Sequence, residues 1–185
     1  MDNGEISYRR FLDGDDKGIA EIVECYKDGL ILYLNGCVNN IYTAEDIAED
    51  TFFKLIIKKP KFSGKCSFKT WLYSIGRKTA VDHIRRNSKL SPTPVEDMES
   101  YIKDETDLER SYINEERKIT LYKAMEKLPF DYRQIIWLVY FEDLSNKEAS
   151  IVMKKNERQI RNLLYRSKQL LKSILEKEGF SCEEL

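Results

Sequence analysis

Histidine is almost absent from this chain of 185 residues, since His83 is the only one. The four cysteines, Cys25, Cys37, Cys66 and Cys182, are scattered, and none belongs to a Cys-x-x-Cys pair. Structural zinc sites normally take closely spaced cysteine and histidine ligands, so we expect no metal ion and no cofactor. We interpret the cysteines as free thiols, because disulfides rarely persist in a reducing compartment.

Long apolar runs are also missing, and the longest ones are far too short to span a bilayer. The N-terminal segment Met1–Glu5 lacks the basic start and apolar stretch of a signal peptide. We therefore expect a cytoplasmic protein without membrane insertion. Hydrophobic residues make up 42% of the chain, enough to build a core in one medium domain or two small ones.

Strand-like alternation of apolar and polar residues is unconvincing everywhere, whereas helical spacing recurs along the chain. We therefore predict an all-α fold of two small helical domains joined by a flexible acidic linker, with a helix-turn-helix in the second domain. The predicted domains are residues 1–90 and 118–178, the linker is 91–117, and 179–185 form a tail.

The net charge of −1 conceals a strong segregation of charge. Lys61–Lys89 contains eight cations and one acid, and Ser145–Lys177 contains nine cations and three acids. Pro92–Arg117 lies between them and contains nine acids and three cations. Any one such block is commonly just a solvated surface, but two basic blocks that coincide with helical motifs favour a nucleic-acid partner.

Several helix boundaries are predicted in the first domain. Gly29 is a point of interruption in the helix that follows Gly14, and Gly36–Asn40 contains loop-forming residues. Thr43 is the predicted N-cap of the next helix, and Lys58-Lys59-Pro60 ends it, with cations at the negative end of the helix dipole.

The first basic block combines cations with aromatic residues. It consists of a loop, Phe62–Ser67, followed by a helix. Cations that neutralise phosphates beside rings that stack on bases suit single-stranded nucleic acid. Trp71 shares an apolar stripe with Leu72 and Ile75, so we favour a core position for it over base stacking.

The second basic block has the pattern of a helix-turn-helix. Ser145–Glu148 forms a capping box before a short helix, Lys154 and Lys155 make the turn, and Asn156–Gln159 caps a longer helix. The polar N-terminal half of that helix would enter the major groove, where Arg binds guanine and Asn or Gln binds adenine. A helical hairpin with an ordinary basic surface stays open as an alternative.

Two motifs in this order resemble a known family. Thr43–Ile56, followed by Phe62–Arg77 and Ala80–Arg86, closely resembles region two of bacterial RNA polymerase sigma factors of the extracytoplasmic-function (ECF) type. Leu144–Glu148 through Arg158–Lys168 is similar to region four of the same family. The resemblance covers residues 8–86 and 119–175, nearly everything except the linker and tails.

The resemblance implies a specificity subunit that binds core RNA polymerase, recognises two promoter elements and helps to melt promoter DNA. One helix would dock on the coiled coil of the largest polymerase subunit. The residues that carry this role over are Asp46, Glu49, Asp50, Phe53 and Lys54.

The resemblance also implies two DNA-binding sites. In the minus-ten site, the Phe62–Ser67 loop would hold an extruded base, and the helix after it would contact phosphates. The predicted minus-ten residues are Ser63, Gly64, Lys65, Ser67, Lys69, Arg77, Lys78, His83, Arg85 and Arg86. The predicted minus-thirty-five residues are Arg158, Gln159, Arg161, Asn162, Tyr165, Arg166 and Lys168.

The chain departs from the family pattern at the turn of the helix-turn-helix. Lys154 stands where a glycine is usual, and Lys155 replaces a customary apolar residue. Ala149 and Ser150 stand where the family more often has a branched aliphatic residue and then alanine. These differences predict a looser or differently shaped turn.

Two other functions are alternatives to the role of a sigma factor. An autonomous helix-turn-helix regulator would normally dimerise on a palindrome, but nothing here reads as a dimerisation module, and it would leave region two unexplained. A nucleic-acid enzyme is disfavoured, because the acids of Glu45–Asp50 lack a histidine or lysine partner. The resemblance also implies an anti-sigma factor as a partner.

Overall fold

The structure is a computed structural model that describes residues 2–87 and 119–177, and every regular element in these ranges is helical. The all-α prediction is thereby confirmed for the described residues. The helices, in chain order, are α1 (Asn3–Leu12), α2 (Lys17–Val38), α3 (Ile41–Lys58), α4 (Phe68–Asn87), α5 (119–126), α6 (Phe130–Ile136), α7 (Asn146–Met153) and α8 (Glu157–Lys177). The predicted linker and tail lie outside the described residues.

Helix α1 is not among the helices predicted from the sequence. Its N-cap is Asp2, whose carboxylate accepts a hydrogen bond from the backbone N–H of Glu5 at 2.7 Å. Tyr8 and Phe11 are buried one turn apart on its inner face. A Cβ on Gly18 would lie 2.2 Å from the backbone oxygen of Ser7, so α1 and α2 cross where only glycine fits. An Asp cap followed by this spacing is the signal that would have revealed the helix.

Two predicted boundaries in the first domain are wrong. Helix α2 runs unbroken through Gly29 and Gly36. Both glycines face side chains of other helices, Tyr73 and Arg133, and packing there offsets the low helix propensity of glycine. Helix α3 begins at Ile41, two residues before the predicted cap Thr43. Its N-cap is Asn40, whose side chain accepts from the N–H of Thr43 at 2.9 Å. The end of α3 matches the prediction, with Lys59 in the left-handed conformation at the C-cap.

An aromatic cluster joins α1, the loop before α4, and α4 itself. The ring of Trp71 lies 5.3 Å from that of Tyr8, 5.1 Å from Phe62 and 5.4 Å from Phe68. Tyr8 is fully buried, and burial raises the pKa of its phenol to about 12. Trp71 therefore packs with the core, as the sequence favoured.

The pattern Asp131–Gln134 predicts a helix cap at Asp131, but α6 begins before that residue, at Phe130. Pro129 is the N-cap residue and Asp131 lies within the first turn, where its carboxylate makes ion pairs. After Ile136 the chain continues as a π-helical turn, Trp137–Phe141, closed by the Glu142 N–H on the Trp137 oxygen at 3.1 Å. Such turns insert an extra residue into a helix and often occur at functional sites. Here the turn brings Glu142 inward.

The helix-turn-helix forms as predicted, but the predicted looser turn at Lys154 and Lys155 is wrong, because the turn closes with regular hydrogen bonds. Ser145 and Glu148 make the capping box of α7, and Asn156 and Gln159 exchange a second pair of side-chain-to-backbone hydrogen bonds at the start of α8. Lys154 takes the left-handed conformation that glycine favours, with φ 53°. At the turn, the N–H of Lys155 bonds the oxygen of Ser150 at 3.1 Å, which is the 6→1 hydrogen bond of a Schellman motif.

The two domains pack against each other and share one continuous core. Helix α4 lies against α7, and α2 lies against α6 and the π-helical turn. Cys37 of α2 is buried at this contact and accepts a hydrogen bond from the Gln134 amide at 2.6 Å. Burial raises the pKa of its thiol to about 12, so this cysteine behaves as a small core residue.

Candidate nucleic-acid and polymerase interfaces

The exposed face of α8 is the strongest candidate for duplex recognition. Ile160, Ser167 and Leu175 point into the domain and are buried. The residues predicted for the minus-thirty-five element are all exposed on the opposite side: Arg158, Gln159, Arg161, Asn162, Tyr165, Arg166 and Lys168. Helix α8 therefore presents amides and cations together, the side-chain types that read base edges in the major groove.

Gln159 has a second role in this helix. Its side-chain oxygen accepts from the N–H of Asn156 at 2.9 Å, and the Asn156 side chain accepts from the N–H of Gln159 at 2.8 Å. Gln159 is exposed, and its amide NH2 is a further potential donor. It lines an open groove of about 320 Å³ beside Tyr132, Lys155 and Asn162.

The predicted base-binding loop is exposed at its tip. Ser63, Gly64 and Lys65 lie at the surface, and Gly64 has φ 68°, a conformation that favours glycine. Phe62 is half-buried, and its ring lies edge-on to that of Phe68 at 5.7 Å. The loop thus offers an aromatic wall with hydroxyl and ammonium groups beside it, the chemistry that an unstacked base needs.

Helix α4 carries further predicted DNA contacts on its C-terminal half. Lys78, Arg85 and Arg86 are exposed. The ring of His83 lies within hydrogen-bond distance of the Asn87 amide, at 2.9 Å, so it is held along the same helix. Lys78, Arg85 and Arg86 present positive charge that is suited to phosphate contact.

Three other predicted minus-ten residues are already engaged by the second domain. The Lys69 ammonium lies 2.9 Å from the Glu142 carboxylate. Arg77 donates to Gln134 at 2.7 Å and to Asp131 at 3.2 Å. The Ser67 hydroxyl caps α4 and also donates to Glu148 at 3.0 Å. The structure therefore divides the predicted minus-ten site into an exposed group and a group covered by the second domain.

Glu142 is the centre of the contact between the domains. Only 8% of its surface is exposed, yet its carboxylate accepts from the Tyr73 hydroxyl at 2.7 Å and the Trp137 indole at 3.3 Å. Lys69 adds a hydrogen bond to its backbone oxygen at 2.9 Å. Burial and this carboxylate both raise the pKa of Tyr73 far above its usual value. Glu142 thus links the second domain to Lys69 and Tyr73 of the first domain.

Glu148 is a second link between the domains. One carboxylate oxygen completes the capping box with Ser145, and the other accepts from the hydroxyls of Ser67 and Thr70, the latter at 3.1 Å. Burial alone would raise the pKa of this carboxyl. The hydrogen bonds from Ser145, Ser67 and Thr70 outweigh burial and hold the pKa below its usual range.

The predicted polymerase-binding face lies on the outer side of α3. Asp46, Glu49, Asp50 and Phe53 are exposed, and 60% of the Phe53 surface reaches solvent. The Lys54 ammonium instead turns toward α4 and donates to the Thr79 hydroxyl at 2.8 Å. Burial lowers the pKa of Lys54, which is consistent with a role inside the domain.

This face of α3 also has an apolar part, which the predicted polymerase-binding residues do not include apart from Phe53. Phe52, Phe53 and Ile56 line a groove of about 250 Å³ together with Val23 and Lys27 of α2. The helical spacing of Ile47, Leu55 and Ile56 predicts one buried stripe, but 39% of the Ile56 surface is exposed. Phe53, Ile56 and Ile57 recur at helical spacing, and this second apolar stripe was the available signal.

The described residues contain neither a candidate metal site nor a membrane-spanning helix. No group of three or more His, Cys, Asp or Glu residues there has the arrangement to hold a metal ion. No helix within residues 2–87 and 119–177 is both long and apolar enough to cross a membrane.

Comparison with protein families gives two matches in chain order. A family described as Sigma-70 region 2 matches residues 22–90, and a family described as Sigma-70, region 4 matches residues 118–171. Together the two matches cover more than half of the chain. The helix-turn-helix and the α8 recognition face lie within the second match.

Individual relatives agree with these matches. The ECF RNA polymerase sigma factor SigW of Bacillus subtilis is 28% identical over 170 residues, which are 88% of this chain and 91% of SigW. The fold is similar to that of CnrH in complex with the cytosolic domain of CnrY, with TM-score 0.69, 18% identity and coverage of 95% and 99% of the two chains. It is also similar to RpoE of Bartonella quintana in complex with the anti-sigma factor NepR, with TM-score 0.67, 19% identity and coverage of 86% and 98%.

Proposed function

Since this chain belongs to the sigma-70 family of RNA polymerase sigma factors and is of the ECF type, we infer that it binds core RNA polymerase and directs it to promoters. The observation that carries this function is the presence of region 2 and region 4 in one chain, with the recognition helix of region 4 open to solvent. The polymerase supplies the chemistry of transcription, so we assign this chain no catalytic residue. We propose that it acts in the cytoplasm, the compartment of these partners.

We propose that α8 reads the upstream, minus-thirty-five promoter element. Arg158, Arg161 and Arg166 offer bidentate donors to guanine or phosphate, and Asn162 offers an amide to adenine. Their common exposed face, opposite the buried Ile160, lets the helix lie in the major groove without unfolding any part of region 4.

We propose that the loop Phe62–Ser67 and helix α4 handle the minus-ten element. The exposed tip formed by Ser63, Gly64 and Lys65 would hold an unstacked base against Phe62. Lys78, Arg85 and Arg86 would contact the phosphates that lead to it.

We propose that the outer face of α3 binds the largest polymerase subunit. Its combination of exposed acids, Asp46, Glu49 and Asp50, with the exposed Phe53 resembles other protein interfaces, where an apolar centre is surrounded by a polar rim. The groove beside Phe53 would accept an apolar side chain of the partner.

We further propose that an anti-sigma factor binds this chain. RpoE of Bartonella quintana, whose fold resembles this one, is described in complex with the anti-sigma factor NepR. CnrH, whose fold is also similar, is described in complex with the cytosolic domain of CnrY. The similarity in fold covers 95% and 86% of this chain, so the helical framework is similar.

Run-off transcription tests the proposed function directly. Purified chain is added to bacterial core polymerase on a genomic fragment library, and the transcript starts are mapped. We expect discrete starts that share two upstream elements and that are absent with core enzyme alone. The matched control is the triple variant Arg158→Ala, Asn162→Ala, Arg166→Ala, which should lose these starts. If no start depends on the chain, and a dimer of it instead binds a palindromic duplex tightly, it is an autonomous regulator.

A further inference from the structure

Three acids of region 4 face the DNA-binding surface of region 2. Asp131, at the start of α6, pairs with Arg77. Glu142, after the π-helical turn, pairs with Lys69, and Glu148 of α7 accepts from Ser67. Each acid thus contacts a residue that the minus-ten site would use for DNA.

These contacts follow the N-terminal half of α4. Ser67 is the N-cap of α4, Lys69 lies in its first turn, and Arg77 lies two turns further along. At each level a carboxylate oxygen lies 2.9–3.2 Å from a donor of region 2. Phosphate oxygens of a nucleic-acid strand bind the same cations and hydroxyls through the same charge-assisted hydrogen bonds.

The acids are also held in place within region 4. Asp131 is bridged to Lys155 at 3.1 Å, Glu142 accepts from the Trp137 indole, and Glu148 is fixed by the Ser145 capping box. Their side chains therefore lose little further conformational freedom when the domains close. The ion pair with Asp131 explains why a lysine, Lys155, can stand where an apolar residue is customary in the turn.

We propose that Asp131, Glu142 and Glu148 act as an internal DNA mimic, by which region 4 covers the minus-ten surface of region 2 until the two domains separate. In the closed arrangement Lys69, Arg77 and Ser67 are unavailable to DNA, although the loop tip around Gly64 is open. The identity of the covered ligand rests on the proposed function. The closed arrangement of the free chain does not.

This device lowers the affinity of the free chain for DNA by a simple population effect. Only the fraction of molecules with separated domains offers the complete minus-ten surface, so the apparent dissociation constant rises as that fraction falls. Any partner that binds the two domains apart removes this penalty. DNA binding is thereby postponed until the polymerase is engaged.

The test uses the full chain without polymerase. The triple variant Asp131→Asn, Glu142→Gln, Glu148→Gln removes the three charges with side chains of nearly the same shape, and glutamine still serves in a capping box. The matched control, Glu126→Gln, Asp143→Asn, Glu176→Gln, removes three charges from exposed acids of the same domain. A second opening variant, Asp131→Lys, places a cation opposite Arg77.

Two measurements are made on each protein. Small-angle X-ray scattering gives the radius of gyration, and fluorescence anisotropy gives the affinity for a labelled single-stranded oligo-dT of 20 nucleotides. We expect both opening variants to be larger than the wild type. We expect the triple variant to bind the oligonucleotide about tenfold more tightly than the control variant.

Equal radii for all variants, or oligonucleotide affinities of the triple and control variants within twofold of each other, would overturn the mimic. A larger radius without tighter binding overturns it as well, since the acids would then hold the domains without covering DNA contacts. Because no polymerase is present, these outcomes are independent of the run-off experiment on which the proposed function depends.

Discussion

Lys154 adopts a backbone conformation that its side chain disfavours. Its φ of 53° lies in the left-handed region, where a Cβ costs about 1–2 kcal/mol. The Schellman hydrogen bond from Lys155 to Ser150 nevertheless forms, so the glycine that is usual here is replaced at an energetic cost and without a looser turn.

Lys154→Gly should therefore stabilise the chain, by roughly 0.5–1 kcal/mol once the greater backbone freedom of glycine in the unfolded state is subtracted. The measurement is the thermal unfolding midpoint, which should rise by a few degrees. Lys147→Gly is the matched control, because Lys147 lies inside α7 and glycine there should lower the midpoint. A lower midpoint for Lys154→Gly would contradict this account.

Asn162 and Gln159 both have a side-chain amide, but only Gln159 uses it to cap a helix. Gln159 accepts the backbone N–H of Asn156, whereas Asn162 is exposed on the recognition face. Replacing Asn162 by alanine should change preference within the upstream promoter element by about 1–3 kcal/mol for a bidentate contact.

Competition between promoter variants, each altered at one upstream base pair, measures this preference in the polymerase-bound complex. Gln159→Ala is the comparison, and it should also lower the unfolding midpoint because it removes a cap of α8. Uniform weakening on all promoter variants by Asn162→Ala would instead assign Asn162 to a phosphate.

Side chains that join distant segments were the residues that sequence could not place. Asp131 has the local pattern of a helix cap, but its true partners, Arg77 and Lys155, are far along the chain. Glu142 stands in a short polar segment after an apolar helix, and nothing local indicates that it is buried. Periodicity reports which face of a helix is apolar, not which charge the neighbouring domain will bring.

At the scale of elements, prediction was most successful where the signal was local. The capping boxes at Ser145 and Asn156 set both helices of the helix-turn-helix correctly. Helix α1 is not predicted, although its cap and apolar spacing are present in the sequence. The predicted start of α3, Thr43, is too late because Asn40, the true N-cap, resembles a loop residue. The π-helical turn has no sequence signature of its own, since it depends on packing around Trp137 and Glu142.

Helix α3 offers a direct test of the polymerase interface. Phe53→Ala removes an exposed apolar anchor, so it should weaken binding to core polymerase at least tenfold and leave the unfolding midpoint nearly unchanged. Binding is measured by titrating labelled chain with core enzyme.

Tyr42→Ala is the matched control for Phe53→Ala, because Tyr42 is an exposed aromatic residue at the start of the same helix, outside the groove. Its affinity for core polymerase should equal that of the wild type. Equal losses for the two variants would move the interface away from the groove at Phe53.

At the scale of the whole molecule, the link through Glu148 makes stability depend on acid pH. The pKa of Glu148 in the folded chain lies below its usual value of 4.5. Its stabilising contribution is therefore fully present above pH 4.5 and is lost as the pH falls through the lowered folded-state pKa.

The free energy of unfolding of the full chain should fall as the pH drops below 4.5. In the variant Glu148→Gln this free energy should fall less steeply with pH. Chemical denaturation at a series of pH values measures both slopes. Thr70→Val, which removes one of the hydrogen bonds that lower the pKa, should give an intermediate slope. If Glu148→Gln keeps the wild-type slope, other carboxylates control the acid response.

The contact between the domains also has a consequence in time. Glu142 and its partner Tyr73 are separated by 69 positions in the chain. At ~5–20 residues per second, a ribosome adds Glu142 roughly 3–14 s after Tyr73. During these seconds region 2 of the nascent chain exists without the acids of region 4 that cover it. The order of synthesis therefore sets an interval in which region 2 is most accessible to DNA and to protein partners.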